Sequence, residues 1–154
     1  MVNNNNIKIE DYMMSNKGSI KINDIEIIEL KECHIKSTPT TKELNVMNCS
    51  SALERKTSYK NTIEFKINKV YTRFKKRLLN NAKDLKETVY KFEGWAKNDA
   101  GDDEYYEIYN CVFNGDINWL DLNANGDFSE ETYSMTFLLE NMHMREKIDD
   151  GEEW

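Results

Sequence analysis

INWLDLNANGDFSEETYSMTFLL, residues 117–139, admits two incompatible structures. In one, Asp121, Asn123, Asn125, Gly126 and Asp127 open a calcium loop. In the other, Ile117–Leu122 is a strand, Asn123 to Gly126 a turn, and Thr132–Leu139 the returning strand. An EF-hand loop needs a bidentate carboxylate at its twelfth position, where this chain has Thr132, and Glu130 and Glu131 come too early. It also needs a helix on each side. The flanks here are rich in aromatic and β-branched residues and alternate with a period of two, which favours strands. The hairpin is therefore the preferred reading. A small calcium-dependent binding module using the loop 121–132, with Asp121, Asn123, Asn125 and Asp127 as ligands, is the alternative.

Working outward, the chain reads as mainly β with one helix. Gly18–Leu30 (GSIKINDIEIIEL) is a hairpin about Asn23-Asp24, residue types that tolerate the left-handed backbone of a tight turn. Its second strand is expected to run through Lys31–Lys36 and stop near Pro39, with Thr40–Asn48 able to pair back as another strand. Cys49–Lys60 shows no period and reads as a loop. In Thr62–Asn68 (TIEFKIN), Ile63, Phe65 and Ile67 share one face, the pattern of a half-buried strand. A helix is expected near 69–85, with Val70, Phe74, Leu78 and Leu79 as its apolar stripe and a surround of basic residues facing solvent. Strands resume at Thr88–Trp95 and Tyr105–Phe113, with turns at 98–103 and at Asn114-Gly115. On Thr132–Leu139, residues Tyr133, Met135, Phe137 and Leu139 share a face.

The chain has 154 residues, 39% hydrophobic and 32% charged, enough for one domain with a real core. Residues 1–17 are expected as a flexible N-terminal arm, 18–148 as the single domain and 149–154 as an acidic tail. No apolar run approaches the roughly 20 residues that span a bilayer, and the start MVNNNN lacks the features of a signal peptide, so synthesis in a cytoplasm is expected. Residues 1–97 carry 19 Lys and Arg against 12 Asp and Glu, whereas residues 98–154 carry 2 against 16. Such a dipolar chain suits head-to-tail association of its own copies, and its net charge of −7 disfavours wrapping nucleic acid.

Catalytic patterns are absent. Cys33, Cys49 and Cys111 are odd in number and have no C-x-x-C spacing, so neither a disulfide framework nor a cysteine zinc site is expected. His34 lies next to Cys33 in a strand and points to the other face, and His143 has no second ligand at metal spacing. There is no phosphate-binding glycine loop and no nucleophile elbow. No enzymatic activity, cofactor or catalytic residue is expected.

The order of elements resembles the tail-tube proteins of contractile phages and phage-like particles, including the PBSX-like element and R-type bacteriocin tails. GSIKINDIE (residues 18–26) resembles that family's opening hairpin, with Asp24 where glycine is usual. TIEFKINKVYTRF (62–74) resembles its strand running into a helix. YNCVF (109–113), INWLDL (117–122) and YSMTFLLEN (133–141) resemble its closing strands. The resemblance implies a β-sandwich or partly open barrel of the tail-tube type, whose strands extend across subunits in a hexameric ring. The rings would stack into a hollow conduit, part of a virion or phage-tail-like particle made in the host bacterial cytoplasm. The implied partners are further copies of the chain and the sheath, tape-measure, baseplate and tail-terminator proteins. DNA would be transient, non-specific cargo, and a target envelope would be met only through the assembled particle.

Overall fold

The computed structural model describes residues 7–151, and eight strands and one helix account for most of them. The strands are β1 (Met13–Ile22), β2 (Ile25–Glu26), β3 (Leu30–Leu44), β4 (Leu53–Asn68), β5 (Val89–Asn98), β6 (Asp103–Asn114), β7 (Glu130–Thr136) and β8 (Met142–Glu146). The helix, α1, is Lys75–Lys83. All strand pairs are antiparallel, in the order β2-β1-β5-β6-β7-β4-β3, with β8 added to β6. The sheet curls without closing into a barrel. Its two ends face each other across a cleft of about 410 Å³ lined by β1, β3 and β5.

The opening hairpin forms where the sequence places it. Asn23 (φ 51°) and Asp24 (φ 66°) both take the left-handed conformation that a two-residue turn between twisted strands needs. The Asn23 side chain also accepts a hydrogen bond from the Lys91 backbone N–H at 2.9 Å. β1 begins earlier than that hairpin, so Met13–Lys17 of the expected arm 1–17 are strand residues, and residues 1–6 lie outside the described ones. Gly18 permits the close approach of β1 to β5, because a Cβ there would sit 2.2 Å from the Trp95 carbonyl oxygen.

The core lies on the inner face of the curl. Ile63, Phe65 and Ile67 of β4 are all but fully buried, as their alternation predicts. Tyr133 and Met135 of β7, with Phe137 just beyond it, join them, together with Ile20 and Ile22 of β1, Phe92 of β5 and Ile108 of β6. Phe74 closes this layer. Its ring meets those of Phe65, Tyr90, Phe113 and Tyr133 at centroid distances of 5.2–6.0 Å, mostly edge to face. The helix starts at Lys75 rather than Lys69, because residues 69–74 are spent crossing the end of the sheet to set Phe74 in place. The Lys69 N–H donates to the Ser129 carbonyl at 2.9 Å, and the Arg73 guanidinium pairs with Glu29. Of the expected stripe, Phe74 and Leu78 are buried, whereas Val70 and Leu79 are exposed.

Three other expectations are corrected. Residues 117–122 form no strand. β7 is flanked by β4 along its whole length and by β6 at Ser134–Thr136, and Lys75 takes the Trp119 carbonyl. β7 itself ends at Thr136; a 3-10 turn at Leu139–Asn141 kinks the chain, which continues along β6 as β8. β3 does not stop at Pro39. It runs to Leu44, and most of the expected loop Cys49–Lys60 is strand β4, with Pro39 opposite Tyr59. Pro39 is tolerated because β3 is the edge strand of the sheet, where a missing N–H breaks no ladder bond with a further strand.

Candidate assembly interface

β3 and β4 pair for their full length, but β7 covers β4 only from Thr62 to Asn68. Beyond Lys36 and Asn61 the two strands leave the sheet as a free ribbon. Every residue of Leu53–Lys60 and of Lys36–Leu44 is exposed. At the point of departure, Asn61 is buried and donates from Nδ2 to the Phe137 carbonyl at 3.1 Å, clamping the end of β7 to β4. The ribbon is built from β-forming residues, chiefly threonines and Tyr59. A bulge places Thr57 as an extra residue opposite Thr40, and the Thr57 hydroxyl donates to the Thr40 carbonyl at 3.1 Å. A two-stranded ribbon without a core is marginal in water, and its outer edges carry unpaired backbone groups suited to another chain.

Charge on the ribbon is sorted by face. Cross-strand partners share a face, so the pairs Lys36–Thr62, Thr38–Lys60, Thr40–Ser58 and Lys42–Arg55 form one row. That row has four cations and no carboxylate; Glu43 and Glu54 pair on the opposite face.

At the other end of β4, residues 116–129 form an irregular loop between β6 and β7. It contains Asp116, Asp121 and Asp127 and no cation, and it exposes Leu122 (82%) and Phe128 (95%). Its conformation is held from below. Lys75, buried at the start of α1, donates to the Trp119 carbonyl at 2.7 Å and pairs with Glu131 at 2.6 Å. Glu131 also accepts from the Tyr133 hydroxyl at 2.6 Å and lies 3.6 Å from Lys69. Burial raises the Glu131 pKa, but Lys75, Tyr133 and Lys69 outweigh it and hold the carboxyl below the ordinary glutamate value. Arg73 lowers that of Glu29 in the same way, chiefly through its hydrogen bonds.

The residues singled out as calcium ligands fall in this exposed loop. Asn123 Oδ1 accepts the Asn125 backbone N–H at 3.1 Å, and the Gly126 N–H donates to the Asn123 carbonyl, so this part is a tight turn. Its flanks are irregular chain and a strand, not the helices of an EF-hand. Among the described residues, no three of His, Cys, Asp and Glu are grouped to hold a metal. Burial pushes the Cys33 and Cys111 thiols up to about 12, the opposite of nucleophile activation. Cys49 is exposed at the ribbon tip, and His143 lies edge-on to Tyr109 at 6.0 Å. Sequence reasoning missed the ribbon because Pro39 and the mixed composition of 49–60 masked it. The signal was the spacing of Thr38, Thr40, Ser58 and Lys60 about a single turn.

No protein-family model matches the chain, and no curated protein matches it in sequence. Solved structures do match in fold. One is a chain of the sheath/tube terminator of the PVC extracellular contractile injection system in the extended state. It aligns with a TM-score of 0.65 at 11% identity, over 90% of this chain and 99% of that one. Another, from the tube-terminating cap of the anti-feeding prophage, gives 0.66 at 9%, over 92% and 96%. A third, from the PVC sheath-tube complex in the extended state, gives 0.61 at 9%, over 90% and 95%. At such identities the fold is what is shared, and all three come from the phage-tail-like class of particle that the sequence resembles.

Proposed function

We propose that this chain is a structural subunit of a contractile phage tail or phage-tail-like particle, without enzymatic chemistry, which assembles with copies of itself as rings stacked into the inner tube. One observation carries the reading: a single open sheet sends out a ribbon of two exposed strands whose edges only another chain can satisfy. The fold shared with parts of contractile injection particles supports it. In such a particle the neighbours are sheath, tape-measure, baseplate and terminator proteins. DNA passes as non-specific cargo, and the acidic excess of the chain limits its sticking.

A second reading, a terminal ring that caps the tube, is favoured by the likeness to a tube-terminating cap. Negative-stain electron microscopy of the concentrated protein, with and without calcium, separates these. Hollow tubes of indefinite length that ignore calcium are expected for a tube subunit, and rings that never stack for a cap. Monomers at every concentration whose melting temperature rises with calcium would replace both with the binding module of loop 121–132.

A further inference from the structure

The ribbon and the acidic loop sit at opposite ends of one strand. β7 pairs Glu130 with Asn68 and Thr136 with Thr62, so loop 116–129 adjoins the Asn68 end of β4, while the ribbon tip lies beyond Leu53. The fifteen steps between Leu53 and Asn68 separate the two ends by about 50 Å in an extended strand. One end is basic and the other acidic. No side chain among the described residues makes an ion pair or hydrogen bond with Lys36, Lys42, Arg55 or Lys60, nor with Asp116, Asp121 or Asp127. The acidic turn between β5 and β6 lies nearer the ribbon end, but there Asp99 pairs with Lys17 at 3.3 Å and the Asp102 carboxylate accepts from Asn98 at 3.4 Å. Both ends also expose apolar side chains, with Met47 (90%) and Leu53 (66%) at the ribbon tip and Leu122 and Phe128 on the loop.

We infer that the ribbon of one copy docks on loop 116–129 of the next, pairing its cationic row with Asp121 and Asp127 and covering Leu122 and Phe128. The occupant is a second copy of this chain because the two surfaces are complementary in charge and hydrophobicity and belong to one molecule that cannot bring them together itself. A contact between different patches on opposite ends does not close on itself. It propagates, and so gives an axial stack rather than a dimer. Lys75 supports the contact by bonding the Trp119 carbonyl and so fixing how the loop is presented. The inference rests on the self-assembly reading above and names the surfaces that carry it.

The test is charge exchange. Lys42→Glu with Arg55→Glu makes both ends acidic, and Asp121→Lys with Asp127→Lys makes both ends basic. Each variant alone is expected to lose sedimentable stacks while keeping the parental melting temperature, since all four residues are exposed. Mixing the two is expected to restore stacks by alternation, because each reversed end then meets its opposite. Stacks that form unchanged from either variant alone, or that fail to return on mixing, overturn the inference while leaving the tail reading in place.

A cross-link needs no polymer. The parent, through Cys49, is oxidised by copper phenanthroline and dissolved oxygen against a size-tagged Cys49→Ser chain carrying Leu122→Cys or Asn125→Cys. A tagged-to-untagged heterodimer is the expected main product. Cys49 homodimers alone would indicate a tip-to-tip contact and overturn the proposal. No cross-link and no assembly at any concentration would overturn both it and the self-assembly reading.

Discussion

The two halves of β4 belong to one continuous strand and obey different physics. From Thr62 to Asn68 every second side chain is buried in an aromatic core and both edges are paired, by β3 and β7. From Leu53 to Lys60 no side chain is buried and only one edge is paired. The inner half is stabilised within the chain. The outer half satisfies little within the chain and presents charge, hydroxyls and open hydrogen-bonding edges, the features of a surface completed by another subunit. A strand can therefore carry folding and assembly in separate segments, with the buried Asn61 marking the border.

The sharpest way to break this comparison is to delete core from the inner half. Phe65→Ala removes a ring packed against Phe74, Phe92 and Tyr133 and is expected to cost about 3–5 kcal/mol in urea unfolding. Tyr59→Ala on the outer half is expected to cost less than about 0.5 kcal/mol. Equal effects would mean that the ribbon is part of the folding core.

Next in size is the buried ion pair beneath the loop. Glu131→Gln leaves the Lys75 ammonium without its counter-charge and is expected to destabilise by roughly 3 kcal/mol near neutral pH. Glu131 and Glu29 both have folded pKa values below the ordinary glutamate value of about 4.3. Their contribution is thus fully present above that value and is lost as pH falls through the lowered folded values. Melting temperatures of parent and Glu131→Gln measured from pH 7 to pH 3 should converge on the acid side. A constant gap across that range would remove the carboxylate from the account.

The smallest effect on folding is expected from replacing residues 41–56 with an Asn-Gly turn. This shortens the ribbon without touching a buried side chain. Stability should change by at most about 1 kcal/mol, while sedimentable assemblies are lost. A truncated chain that still assembles would move the interface elsewhere.

Much of the fold was legible in the residues. The alternation of Ile63, Phe65 and Ile67 and that of Tyr133, Met135 and Phe137 identified two central strands and their inward faces. Asn23-Asp24 identified the hairpin, because few other residue types take that backbone cheaply. Local rules misplaced the ribbon and the segment 117–122. Pro39 counts as a strand breaker only if a partner needs its N–H, and whether one does depends on the position of β3 in the sheet. Ile117–Leu122 has strand-like composition, but Lys75, more than forty residues earlier in the chain, takes its carbonyl.

By itself, then, the sequence determined which short segments are strands or turns and how charge is divided along the chain. Those properties depend on near neighbours and on side-chain chemistry. Only the tertiary structure decided that the cationic row and the acidic loop occupy opposite ends of the molecule, because end-to-end position depends on pairing register between residues far apart in sequence. The same register leaves the outer half of β4 without a neighbour and makes the polarity of the chain a polarity in space.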